Sequence, residues 1–206
     1  MRPEFIFLDL GNVLFSFDRD IAFRRMAAVC GTDPEAVRAA VMGGGLHEPL
    51  ECGQIGWKEF HAEFSRRTGT ASAPDALARA YSDMFTLKVD MLPVIAGIER
   101  TGCPVGILSN TSAVHWRHLW DSGYAILPGR FSRFVLSYEV GAMKPERAIY
   151  DAAAAAAGVP PERIFFCDDL EPHVTAARQA GWQAELFTSA AKLIVDLGRR
   201  GLNIGL

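Results

Sequence analysis

Asp9 in FIFLDLGNVL, Ser109-Asn110-Thr111 in GILSNTS, Lys144 in GAMKPE and Asp168-Asp169 in IFFCDDLEP are the residues of this chain whose types could act together. Each stands at the end of a short apolar run or in the loop beyond one. Asp9 and one of the pair 168/169 supply hard oxygen ligands that suit Mg²⁺ and leave positions for water and phosphate. Carboxylates crowded in one place repel strongly unless a cation sits among them. Ser109, with Asn110 and the backbone N–H groups beyond it, can hydrogen-bond phosphate oxygens, and a helix beginning there adds its positive end. Lys144 can neutralise both the attacking carboxylate and the phosphoryl oxygens. The chemistry such a set allows is in-line attack of Asp9 on phosphorus, giving an aspartyl-phosphate that water then hydrolyses. Singly, each residue has a plain reading: Asp9 caps a turn, Ser109 opens a helix, Lys144 is a solvated loop charge.

To bring these residues together the chain needs one sheet edge. Phe5–Leu8, Val105–Leu108, Phe134–Leu136, Ile164–Cys167 and Ala184–Phe187 are strand-length and lack polar alternation, as in strands buried on both faces. Between them, Ser112–Asp121, Pro145–Ala157 and Glu171–Ala180 read as helices, with Pro145 at a first helical position and Gly158 as a stop. The alternation predicts an α/β fold, a doubly wound, Rossmann-like parallel sheet. In such sheets ligands bind outside the carboxyl ends of the strands. From about Asp18 to Asp90 no strand is apparent. Trp57, Phe60, His61 and Phe64, then Leu77, Ala80, Tyr81 and Met84, fall at helical spacing. Residues 18–90 therefore read as a helical cap inserted after the first strand, with 1–17 and 91–206 as the catalytic core; the plainer alternative is that 18–90 extends the core. The closing GLNIGL reads as a tail.

The 206 residues are enough for one well-packed domain, with an insertion. Half the chain is hydrophobic and the net charge is −3, which excludes a disordered chain and a basic nucleic-acid-binding footprint. No apolar run approaches the ~20 residues of a membrane span, and the start lacks a signal-peptide pattern, so a cytoplasmic location is expected. Cys30, Cys52, Cys103 and Cys167 are scattered without metal or disulfide spacing, and Cys103 and Cys167 read as buried thiols.

The four segments, in this order, resemble the signature motifs of the haloacid dehalogenase-like hydrolase superfamily. The likeness covers nearly the whole chain, and DLGNVLF, SNTS, MKPE and DD are most similar to its glucose-1-phosphate phosphatase subgroup. The resemblance implies a Rossmann-like core, Mg²⁺ dependence and phosphatase activity through a phosphoaspartate. It implies Asp9 as nucleophile, Ser109 as phosphate-binding hydroxyl, Lys144 as the cation and Asp169 as metal ligand, with the Gly11 carbonyl also on the metal. Two positions depart from the pattern. Gly11 stands where most phosphatases of the superfamily carry an acid that protonates the leaving oxygen, worth ~10²–10⁴-fold in rate. The leaving group must then depart unaided, or take its proton from water or a cap residue such as His47, Asp18 or Glu51; unaided departure favours sugar-1-phosphates and aryl phosphates. His173 stands where an Asp or Asn is common, and reads as facing solvent at a helix start.

Other residues have bland readings. His115 and His118 lie at i, i+3 without a third metal ligand, so they read as packing or surface groups; Trp57 and Phe60 read as cap core. His47, Glu48 and Glu51 are candidate substrate contacts. The expected function is Mg²⁺-dependent hydrolysis of a small phosphorylated metabolite, a sugar phosphate favoured, by a monomer or homodimer with no nucleic-acid or membrane partner. Its alternatives are a catalytically weakened member that binds phosphorylated ligands or a protein, and a hydrolytic dehalogenase, against which the acidic pair 168/169 argues.

Overall fold

The long apolar runs fold into strands, and the computed structural model adds two short ones. It describes residues 1–124, 126, 127 and 129–205. The strands are β1 (Phe5–Leu8), β2 (Phe15–Phe17), β3 (Phe85–Leu87), β4 (Val105–Ser109), β5 (Arg133–Leu136), β6 (Ile164–Asp168) and β7 (Gln183–Leu186). The helices are α1 (Arg19–Cys30), α2 (Pro34–Arg38, followed by a π-helical turn over Ala39–Gly43), α3 (His47–Glu51), α4 (Trp57–Thr68), α5 (Pro74–Ser82), α6 (Met91–Arg100), α7 (Ala113–Asp121), α8 (Ser137–Val140), α9 (Arg147–Ala157), α10 (Glu171–Gln179) and α11 (Ala190–Arg199).

Five strands form one parallel sheet in the order β5-β4-β1-β6-β7. Strand side chains alternate between faces, so FIFL of β1 feeds two cores. Ile6 and Leu8 join Ile107, Phe165 and Cys167 beneath α6, α7 and α11. Phe5 and Phe7 join Leu108, Ile164 and Phe166 beneath α9 and α10. This is the expected doubly wound α/β architecture, buried on both faces.

Helices α1 to α5 lie between β2 and β3 and share a third core. It is built from Phe23, Met26, Val41, Phe60, Phe64 and Leu77 among others. Asp18 caps α1 by accepting from the Asp20 amide, and Trp57, Phe60 and Tyr81 stack on one another at 4.9–5.9 Å. The antiparallel ribbon β2–β3, with Phe15 opposite Leu87 and Phe17 opposite Phe85, closes the base of this insertion.

Three local expectations need correction. Residues 85–87 are a strand inside the interval read as strand-free; three residues are too few to display a period. Pro145 is not the first residue of α9, which starts at Arg147. A closed turn takes up Met143–Glu146: the Glu146 amide donates to the Met143 carbonyl, and the Met143 amide donates to the Glu146 carboxylate. The closing residues are not a loose tail either, for Leu202 and Ile204 are buried in the sheet's first core, where Gly97 leaves room for Ile204. Leu206 lies outside the described residues.

Candidate active site

The three central strands set the site. Leu8 pairs with Ile107 on one side and with Cys167 on the other. The next residues along, Asp9 after β1 and Asp168 of β6, and Ser109 two beyond Ile107 at the end of β4, therefore meet at one edge. The Asp9 amide prolongs the ladder by donating to the Cys167 carbonyl at 3.0 Å. Beyond Asp9 the chain curls, with the Leu14 and Phe15 amides both donating to the Leu10 carbonyl. Asn12 takes a left-handed conformation at φ 53°, tolerable for asparagine, and its side chain donates to Asp169 Oδ2 at 2.9 Å.

Lys144 is the hub. Its Nζ, buried at 3% exposure, donates to Asp9 Oδ1 at 2.7 Å, Asp168 Oδ2 at 2.5 Å and the Leu108 carbonyl at 3.0 Å. Asn110 fixes the lysine's backbone from both sides: Oδ1 accepts the Lys144 amide at 2.8 Å and Nδ2 donates to its carbonyl at 2.9 Å. Burial alone would lower the lysine's pKa; the Asp9 and Asp168 charges reverse that and raise it. For Asp168 burial works upward, but Lys144 and then His173 override it and hold the carboxyl down to about 2. Asp9 is pushed up to about 6, burial outweighing the Lys144 charge.

Asp9, Gly11, Ser109, Asn110, Lys144 and Asp169 line one cavity of about 300 Å³. Asp168 lies fully buried behind Lys144. The helix after Ser109 begins where the sequence placed it, with Ser112 as the N-cap of α7, and the Thr111 amide is taken by Ser137 Oγ at 2.9 Å. Of the residues considered for the helical segment, His47 and Glu51 line the cavity, whereas Glu48 and Asp18 are exposed.

Several cavity residues carry no motif. Arg19 sits at the start of α1, with its guanidinium 5.0 Å from the Phe17 ring centre. His173, expected to face solvent, instead contacts both Asp168 oxygens through Nδ1 at 3.0 and 3.1 Å; its place on the first turn of α10, five residues past Asp168, is the signal that could have found it. His115 is buried against Tyr81 and Phe85, lines the cavity, and has no partner for Nε2 among the described residues. His118 lies outside the cavity lining.

Oxygen atoms from Asp9, Asp168 and Asp169 lie within 4.8 Å of one another. An all-carboxylate set suits a hard divalent cation such as Mg²⁺. Asp168 is already engaged by Lys144, His173 and the Leu170 amide. Lys144 takes Asp9 Oδ1 and Asn12 takes Asp169 Oδ2, and the second oxygen of each has no side-chain partner among the described residues. The Gly11 carbonyl accepts the Val13 amide at 2.7 Å and retains a second lone pair.

Space at Gly11 is tight: a Cβ there would lie 2.9 Å from Phe17 Cε1, so the ring would have to shift to admit a side chain. Phe17 in turn packs on Phe85 of the neighbouring strand, centroids 6.1 Å apart. A side chain at position 11 would therefore crowd Phe17 in its present place.

The family profile of haloacid dehalogenase-like hydrolases matches residues 6–181. A phosphatase of Mycobacterium tuberculosis is 36% identical over 200 residues, covering 90% of this chain and 88% of that one. D-ribitol-5-phosphate phosphatase of Bacteroides thetaiotaomicron is 25% identical over 184 residues, covering 86% and 88%. Enolase-phosphatase E1 of Picosynechococcus is 36% identical over 96 residues, 46% of this chain; the match spans only 41% of that enzyme. The fold matches the crystal structure of a haloacid dehalogenase (HAD) family enzyme of Bacteroides thetaiotaomicron in complex with magnesium and inorganic phosphate. The TM-score is 0.80 at 23% identity, covering 90% of this chain and 94% of that one.

Proposed function

The chain belongs to the haloacid dehalogenase-like hydrolase family, and we propose that it is a Mg²⁺-dependent phosphatase that moves the phosphoryl group of a small sugar phosphate onto Asp9 and then to water. One observation carries this reading: Asp9 is held at Oδ1 by Lys144 while Oδ2 stays available, inside a cavity that Ser109 also lines. Lys144 orients Asp9 and offsets the charge that gathers as carboxylate and phosphoryl oxygens approach. Ser109, with its neighbour Asn110, offers hydrogen bonds to those oxygens. Asp9 attacks phosphorus in line, the leaving oxygen departs, and water cleaves the acyl phosphate to regenerate the carboxylate. Asp9, Asp169 and the Gly11 carbonyl are the groups that would hold Mg²⁺, which supplies charge neutralisation at the phosphoryl oxygens.

The cavity's volume is at the small end for ligand sites, which suits a metabolite of sugar size. Residues 18–90 act in this reading as the cap, from which His47, Glu51 and Arg19 face the substrate's hydroxyl groups, while His115 Nε2, without a partner among the described residues, faces them from α7. No helix among the described residues is long and apolar enough to cross a membrane; the reading places the enzyme in the cytoplasm as a monomer or homodimer. The weakened, binding-only alternative draws on Gly11, and the same experiment separates the two. Hydrolysis of p-nitrophenyl phosphate and a panel of sugar phosphates is followed with Mg²⁺ and with EDTA. Metal-dependent turnover is expected, and folded Asp9→Asn should lose it. Ligand binding without turnover would establish the alternative, and wild-type rates in Asp9→Asn would remove the covalent route.

A further inference from the structure

Resting on the phosphatase reading above, we propose that Glu51 protonates the leaving oxygen, supplying from the helical insertion the proton that position 11 cannot supply from the sheet. Phe17 fills the space a side chain at 11 would need, so the acid has to come from elsewhere on the cavity wall. Among the described residues lining the cavity, the carboxyl groups are Asp9, Asp169 and Glu51. The first two sit at the phosphoryl end; Glu51 comes from α3 on the opposite element. Asp18, the other carboxylate near this end of the insertion, is exposed and spent on the cap of α1.

The neighbours of Glu51 keep its proton available. Facing it are Arg19 from α1, His47 and Glu48 from its own helix, Tyr81 from α5, and Asp9 and Lys144 from the core. From α8 the Ser137 hydroxyl donates to the Glu51 backbone carbonyl. Burial, helped by the Asp9 and Glu48 charges and opposed by Arg19 and Lys144, pushes the carboxyl up to about 7. His47 cannot take this role, because burial and then Arg19 push it down to about 4 and leave it neutral. The contact between His47 Nε2 and Glu51 Oε2 at 3.4 Å is therefore a neutral pair, not an ion pair. His47 Nε2 also lies 3.5 Å from an Arg19 guanidinium nitrogen, and its Nδ1 lies 3.1 Å from the Tyr81 hydroxyl.

Glu51 is also fixed against the reacting centre. Ser137 Oγ, which holds the Thr111 amide beside the phosphate-binding segment, lies 2.6 Å from the Glu51 carbonyl and donates to it. Two residues on, Gly53 adopts φ 69° and passes so near α8 that a Cβ there would collide with the Tyr138 carbonyl. The insertion is thus pinned to the sheet edge at the turn that carries Glu51.

In the first step the Asp9 oxygen–phosphorus bond forms and the phosphorus–leaving-oxygen bond breaks. The Glu51 proton passes to that oxygen, releasing the alcohol. In the second, water attacks the phosphoenzyme, its proton passes to the Glu51 carboxylate, and Asp9 leaves as the carboxylate. Both groups return to their starting state.

The test measures phosphoenzyme formation by rapid quench, at saturating substrate with Mg²⁺, for glucose-6-phosphate and p-nitrophenyl phosphate. Glu51→Gln should slow the alkyl phosphate by ~10²-fold or more, but the aryl phosphate, whose leaving group needs no proton, only a few-fold. The fall in the alkyl rate above about pH 7 should disappear with it, and Glu51→Asp should recover part of the loss. Equal slowing of both substrates, or none, would overturn the assignment while leaving the phosphatase reading intact. A wild type inert on every phosphate would overturn that reading and the donor with it. Should Glu51→Gln not fold, the wild-type ratio of alkyl to aryl rates decides: a ratio independent of pH from 6 to 9 rejects Glu51.

Discussion

Replacing Lys144 with methionine removes the cation between Asp9 and Asp168 but keeps an apolar stem of similar length. Three donated bonds are lost, to Asp9, Asp168 and the Leu108 carbonyl, and two buried carboxylates are left facing one another. Breaking a buried pair from one side costs about 3–5 kcal/mol, which for a chain of this size lowers Tm by roughly 6–20 °C. The sign of the pH dependence follows from Asp168. In the wild type its carboxyl is held at about 2, below the ordinary 3.8. It therefore contributes stability above 3.8 that is lost as pH falls through about 2, a contribution of about 2 kcal/mol. Without Lys144, burial dominates and the folded-state value moves above the ordinary one. The variant is then most stable at low pH and loses stability as pH rises through the new value. Urea denaturation of both proteins at pH 5 and pH 7.5 reads this directly. EDTA must be present, since a divalent cation held by the same carboxylates would replace part of the missing charge. The difference in stability should be large at pH 7.5 and clearly smaller at pH 5. A variant within about 1 kcal/mol of wild type at pH 7.5, where measured effects of this kind are several-fold larger, would refute the reasoning, as would a difference that does not change with pH.

Asp169→Ala should raise the Mg²⁺ concentration needed for half-maximal turnover, whereas Asp168→Asn should act mainly on stability, because Asp168 serves Lys144 and His173; a metal titration beside a melting curve separates them. Gly11→Asp should destabilise by about 1–3 kcal/mol through overpacking against Phe17, and adding Phe17→Ala should relieve part of that loss; two independent, additive losses would show that the ring is not the obstacle. Ser137→Ala leaves the Thr111 amide and the Glu51 carbonyl without their partner, at about 1–3 kcal/mol; an unchanged Tm would mean that water replaces the hydroxyl at no cost.

The strand edges that carry Asp9, Ser109 and Asp168 were legible because β1, β4 and β6 are continuous apolar runs buried on both faces, and the residue that ends such a run is easy to find. β2 and β3 were not, since three residues hold neither a period nor a turn signal. Lys144 could be placed near the site by its motif, but not its grip on both carboxylates, which depends on the turn at Met143–Glu146 and on Asn110 binding its backbone. Asn12 and Arg19 were missed and His173 was read as facing solvent, because each reaches the site through the direction its chain takes on leaving a strand, which depends on φ and ψ at the intervening residues. His47 and Glu51 could be named only as candidates, because the path of the chain between two helices is set by packing such as that of Gly53 on Tyr138. The sense in which Gly11 departs from the family pattern was visible, while the ring that enforces it was not.

The position of β1 has a consequence for how the protein is made. It leaves the ribosome first among the strands, yet it is the middle of the sheet, paired with β4 on one side and β6 on the other. Until those segments emerge, after the whole of α1 to α6, FIFL is an apolar strand with both edges unpaired, the kind of segment that templates aggregation. Helices α1 to α5 have their own core and can collapse while the sheet waits, since their contacts are local and the sheet's are not. Slowing translation after the insertion would lengthen the exposure of β1 and should lower the yield of folded protein.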